Sequence, residues 1–108
     1  LGVQRDIAFV EAGELLSVMK KTKTKPWALA GGQEPDPTAM IFFVGTPREK
    51  RVGTYRSRVK KGDRCRLLSS GGGGFGDPKE RDLDLVREDV IDGYVSENAA
   101  RKIYQRVI

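Results

Sequence analysis

A chain of 108 residues, 38% hydrophobic and 32% charged with a formal net charge of +5, is long enough to bury a core and too apolar to be a disordered tail. No apolar run approaches the ~18 residues of a membrane span. The chain has no histidine and a single cysteine, Cys65, which excludes an internal disulfide, zinc sites of the Cys/His type, and Ser-His or Cys-His catalysis.

Taken in order, Val3 to Val10 alternates as a strand, with Ile7 and Phe9 on one side and Ala8 and Val10 on the other. Ala12-Gly13 then turns the chain into Glu14–Met19, where a helix is the alternative but the β-branched content and preceding glycine favour the second arm of a hairpin. The cationic run Lys20-Lys21-Thr22-Lys23-Thr24-Lys25 reads as a solvated strand end or loop. Residues 25–37 are turn-formers, and the prolines Pro26, Pro35 and Pro37 bias their predecessors to extended geometry. Trp27 lies in that loop, and an indole of its size is expected to pack on the domain or on a neighbour. Met40-Ile41-Phe42-Phe43-Val44 is the strongest core-strand candidate. Arg51 to Lys60 reads as one alternating strand with a wet face, and Arg64–Leu68 as its hairpin partner across the Lys61-Gly62-Asp63 turn. Cys65 is then a small buried strand residue, not a nucleophile.

Past the glycines the period becomes helical. Asp82 is placed as an N-cap, and Leu83, Val86 and Val90 share a face. Gly93 suits a left-handed C-cap, and Ser96 caps a second helix carrying Ala100, Ile103, Tyr104 and Val107. The predicted class is α+β: a mainly antiparallel body of about five or six strands closed by a short C-terminal helical hairpin. Its parts are a β-rich body over 1–70, a glycine-rich bend over 71–82 and the hairpin over 83–108, together one domain.

Charge is uneven: residues 1–70 carry 14 Lys and Arg against 7 Asp and Glu, whereas residues 71–108 carry 6 against 8. No aromatic residues interleave with the cations as stacking platforms, so nucleic acid is not the expected partner. Arg56 and Arg58 fall on the wet face of the predicted strand, and with Trp27 they are candidates for a subunit interface.

The segment Gly71-Gly72-Gly73-Gly74-Phe75-Gly76-Asp77-Pro78 needs its own explanation, because glycine loses the most freedom on folding. It satisfies G-x-G-x-x-G, but Asp77-Pro78 separates it from the helix and no ribose-binding acid follows on a parallel strand, so a dinucleotide site is rejected. A P-loop is excluded by the missing Lys-Ser/Thr pair. The presence of Phe75 argues against a slack linker. The expected structure is an ordered bend in which backbone passes close to backbone or to a ligand, with Phe75 pinning it to the core. On this reading Gly71, Gly72, Gly73, Gly74, Phe75, Gly76 and Asp77 either line a substrate cavity, with amides open to an oxyanion, or serve as a packing corner.

That glycine segment, followed by Glu80-Arg81-Asp82, Asp89-Val90, Gly93-Tyr94-Val95-Ser96 and Ala99-Ala100, resembles the C-terminal end of the hydantoinase B/oxoprolinase family. Pro26-Trp27 with Gly31-Gly32 is similar to that family's proline-tryptophan loop, and Gly2 with Arg5 to the start of its preceding strand. Phe75 stands where tyrosine is common, Lys25 and Ala28 depart in the tryptophan loop, Ser69-Ser70 replaces Thr-Pro, and Asp36 stands where glycine often follows proline. The resemblance implies a fragment of a longer B subunit, an expectation that also suits a chain starting at Leu1. It implies ATP-dependent opening of hydantoin, N-methylhydantoin or 5-oxoproline rings, performed with an actin-like ATPase partner or fused region. A related ketone carboxylase, or a docking module for the ATPase, is the alternative. ATP and a divalent metal are implied for the parent enzyme, with no cofactor in this fragment, no catalytic residue assigned within it, no membrane or nucleic-acid partner, and a cytoplasmic setting.

Overall fold

The computed structural model describes residues 1–20 and 22–107, which fall into two compact units. One unit is formed by residues 1–26 and 35–72, the other by residues 27–34 together with the chain from Gly73 onward.

The first unit is built entirely of strands: β1 (Gln4–Ala8), β2 (Gly13–Ser17), β3 (Ala39–Phe42), β4 (Lys50–Val52), β5 (Tyr55–Val59) and β6 (Arg64–Leu68). They form a four-stranded antiparallel sheet in the order β1-β6-β3-β4 and a two-stranded antiparallel sheet of β2 and β5. Register arranges the larger sheet into cross-strand rows. Ile7, Cys65, Phe42 and Lys50 are aligned across it, as are Arg5, Leu67, Met40 and Val52. Because side chains alternate faces, these rows put Ile7, Cys65, Phe42 and Met40 on one side, where they meet Val59 and Tyr55 of the smaller sheet. Phe42 is fully buried and packs edge-to-face on Tyr55 at 5.3 Å between ring centres and on Phe43 at 6.0 Å, a geometry that aligns ring edge with ring face.

Strand positions match the alternation in the sequence, but partners differ from those predicted. β1 and β2 do not form a hairpin: β1 pairs with β6, and β2 with β5. The end of β1 is instead tied to the turn before β6, with Phe9 N donating to Asp63 O (2.9 Å) and Gly62 N to Phe9 O (2.8 Å). Likewise β5 and β6 are joined by a tight turn, closed by Lys60 N donating to Asp63 Oδ2 (2.7 Å), yet belong to different sheets. The long strand expected over Arg51–Lys60 is two strands, β4 and β5, interrupted at Gly53-Thr54. Gly53 turns its carbonyl to the buried Ser17 hydroxyl, which donates to it at 2.6 Å, satisfying a group that would otherwise be orphaned. Of the cationic run, Lys21 lies outside the described residues.

The second unit contains a 3-10 turn (Pro78–Glu80) and two helices, α1 (Leu83–Ile91) and α2 (Glu97–Lys102). Asp82 caps α1 by accepting from Asp84 N and Leu85 N (2.9 and 3.3 Å), and Ser96 caps α2 by accepting from Ala99 N (3.1 Å). Gly93 follows α1 with φ +82°, the left-handed stop that glycine permits at no steric cost. The helices bury Val86 and Ala100, and the Arg106 guanidinium donates back to the carbonyls of Lys79 and Arg81 at 2.8 and 3.2 Å. The class is α+β, as the sequence indicates.

Candidate functional site

The glycine run is divided between the units: Gly71 and Gly72 end the β unit, and Gly73 to Asp77 open the helical one. Within the helical unit, residues 73–76 run beside residues 27–33. Leu29 N donates to Gly74 O (2.9 Å), Gly76 N to Leu29 O (3.0 Å) and Gly74 N to Gln33 O (2.9 Å), giving an isolated parallel bridge between Leu29 and Phe75. A Cβ on Gly73 would fall onto the Trp27 carbonyl, and one on Gly32 onto the Gly74 backbone. At Gly32, Gly73 and Gly74 the missing side chain is explained by backbone meeting backbone, whereas nothing lies within 4 Å of the corresponding position on Gly72 or Gly76. The amides of Gly74 and Gly76 already donate inside this ladder, so neither is open to an oxyanion in this conformation. Asp77 caps the 3-10 turn by accepting from Lys79 N at 3.0 Å. Phe75 does not pin the bend to the core; it is 82% exposed, because the bridge to Leu29 fixes the backbone without needing the ring.

Gly71 and Gly72 face a different setting. They line a cleft of about 580 Å³ in the β unit, together with the entry to β1, Pro35 to Pro37, and Arg51 of β4. Thr38 Oγ1 accepts from Ser70 N at 3.3 Å, while Ser69 is held to Val3 by Ser69 N donating to Val3 O (2.9 Å) and Val3 N donating to Ser69 Oγ (2.8 Å). The wall is thus fixed by backbone pairing and two proline rings, with Arg51 and Asp36 as its charged members. Such a cleft can hold a small polar group against a guanidinium, but it brings no nucleophile with its base. Among the described residues no three of His, Cys, Asp and Glu converge. The described residues thus offer no such cluster to the divalent metal that the resemblance implies for the parent.

A second cleft of about 450 Å³ is lined by Asp6, Cys65, Arg66 and Gly45, among others. Asp6 and Arg66 stand opposite each other in register and form a two-point ion pair, Nε to Oδ1 at 2.8 Å and Nη2 to Oδ2 at 3.1 Å. The Arg66 hydrogen bond holds the Asp6 carboxyl below its ordinary value, and Asp6 in turn raises Arg66. Burial pushes the Cys65 thiol up, which keeps it protonated and unreactive. Arg51, the proline wall and the Asp6–Arg66 pair were not singled out by sequence patterns: each depends on strand register, which the alternation alone leaves open. Of the proposed interface residues, Trp27 is largely exposed in the helical unit. Arg56 and Arg58 are exposed on β5, Arg56 pairing with Glu14 at 3.1 Å. No helix among the described residues is long and apolar enough to cross a membrane.

Residues 1–78 match the hydantoinase B/oxoprolinase family. The chain belongs to that family. This hydantoinase B/oxoprolinase chain is 27% identical over 105 residues to an uncharacterized protein of Methanocaldococcus jannaschii, a match covering 97% of this chain and 19% of that protein. It is 34% identical over 83 residues to the acetone carboxylase alpha subunit of Xanthobacter autotrophicus, covering 74% of this chain and 11% of that subunit. Its fold is similar to that of the ATP-dependent caprolactamase from Pseudomonas jessenii, with a TM-score of 0.70 and 23% identity over 99% of this chain and 20% of that one. The chain spans a fifth or less of the length of these proteins.

Proposed function

We propose that this chain is one part of a longer hydantoinase B/oxoprolinase-type subunit in an ATP-dependent enzyme that opens cyclic amides, and that it completes the site without performing the chemistry. The family match over residues 1–78 carries this reading, and the fold shared with a caprolactamase supports the ring-amide substrate class. A ring amide is a poor electrophile, and ATP would supply activation by converting its carbonyl oxygen into a phosphorylated leaving group. In this reading that step falls to residues outside these 108. What this chain contributes is a wall: Gly71, Gly72, the Pro35–Pro37 segment and Arg51 shape one side of a cleft, and the guanidinium can orient a polar ring substituent. The rest of the subunit and an actin-like ATPase are the partners in this reading. A reducing, cytoplasmic setting suits its lone, buried thiol.

The test is turnover by the intact gene product with its ATPase partner. Hydantoin, N-methylhydantoin, 5-oxoproline and a caprolactam are supplied with ATP, and ring opening is followed alongside ADP release. Coupled opening of at least one ring supports the reading; ADP release without opening of any ring rejects it. The identity to an acetone carboxylase alpha subunit favours a second reading, a ketone carboxylase. Bicarbonate-dependent ATP consumption with acetone, and none with the rings, would select it.

A further inference from the structure

The helical unit buries Val86 and Ala100 yet leaves large apolar side chains outside, some of them singly on the helices and the C-terminal segment, such as Ile91 and Val107, and three on the ladder segments: Phe75 is 82% exposed, Trp27 71% and Leu29 58%. Leu29 and Phe75 are bridge partners, and paired residues of a ladder project to the same side. Three hydrogen bonds fix that ladder, and the close approach of Gly73 to Trp27 and of Gly32 to Gly74 removes any slack. A rigid backbone thus presents two adjacent apolar side chains to solvent, with exposed Trp27 two residues before Leu29. Scattered apolar residues on a surface need no explanation, whereas a constructed cluster marks an interaction surface.

We infer that the outward face of the Leu29–Phe75 bridge, with Trp27, is an internal docking surface covered by an apolar segment of the same, longer polypeptide. Size decides the occupant. Three such side chains offer on the order of 400 Å², about half of the roughly 800 Å² per partner that a stable association of separate molecules uses. A covalent tether supplies the missing affinity as effective concentration. The relatives, at about five to seven times this length by the shares they cover, have the chain to provide it. The inference rests on the chain being part of a longer subunit but not on the reaction that subunit performs, so a failed turnover assay leaves it standing.

A photo-crosslinking phenylalanine analogue placed at position 75 of the intact gene product tests it, with the same probe at the exposed Lys79 as a reference. The expected result is severalfold more intramolecular adduct from position 75, mapped by mass spectrometry to apolar residues outside these 108. Adducts mapping to a separate ATPase polypeptide or a second copy would overturn the inference, as would a yield no higher than at Lys79. In parallel, Phe75→Ser with Leu29→Ser should lower the thermal midpoint of the intact protein, and an unchanged midpoint counts against it.

Discussion

Neighbouring glycines in one run do different work. Gly73 has the Trp27 carbonyl where a Cβ would go, whereas nothing lies within 4 Å of the corresponding position on Gly72. Gly73→Ala should therefore destabilise the protein by about 2 kcal/mol or more, through forced separation of two backbone segments. Gly72→Ala should fall within about 0.5 kcal/mol of wild type. Denaturant unfolding of the two variants side by side checks this, and equal losses would contradict it. The sign for Asp6 is also fixed by its environment: Arg66 holds its carboxyl below the ordinary range, so the folded state binds the proton less readily than the unfolded one. The stability from this pair is present above about pH 4 and is lost as pH falls through the depressed folded-state value. Asp6→Asn should accordingly narrow its stability deficit relative to wild type on acidification below about pH 4, read from thermal midpoints across that range.

Strands and helices were legible to different degrees. The alternating runs around Ile7 and Cys65 and the continuous apolar run over residues 40–44 marked strands, and Asp82, Gly93 and Ser96 marked helix ends, because caps and hydrophobic patterning are local chemistry. Pairing was not legible, since the same alternation suits any antiparallel neighbour: β6 could have met β5 across its tight turn but lies between β1 and β3. The break at Gly53 was hidden too, because the partner of its carbonyl is the Ser17 hydroxyl, 36 residues away in sequence. The glycine corner was readable as an ordered close approach, but its partner segment and the outward turn of Phe75 were not. Their cause is a bridge between residues 29 and 75. Caps being local, their loss can be predicted locally: Asp82→Ala strips α1 of the acceptor for two amides and should cost about 1 kcal/mol. Guanidinium denaturation would show it, and a cost near zero would mean that tertiary packing alone holds the start of α1.

At the scale of the molecule, the +5 charge raises the question of what it meets. Two rings of the β unit are covered by cations: Arg48 lies over the buried Phe43 ring at 4.0 Å, and Lys50 over Tyr55 at 4.2 Å. Single-stranded nucleic acid stacks on free rings, which these two are not, and the expectation to test is that the positive strand face meets a protein surface. Arg56 and Arg58 are the natural probes, because they are exposed on β5 and the Arg56–Glu14 pair, being solvated, contributes little to folding. Reversing their charge would set acids against Glu14, which is in register with Arg58, and would confuse folding with docking. Glutamine at both positions removes charge without repulsion. If this face docks an acidic surface of the ATPase partner, Arg56→Gln with Arg58→Gln should weaken association of the intact subunits by up to about tenfold, the sum of two partly exposed ion pairs. The deficit should shrink as salt rises toward about 1 M, where screening already suppresses such pairs in wild type. Affinity measured at low and high salt on correctly folded protein decides the matter: unchanged binding at both assigns these arginines to solvent.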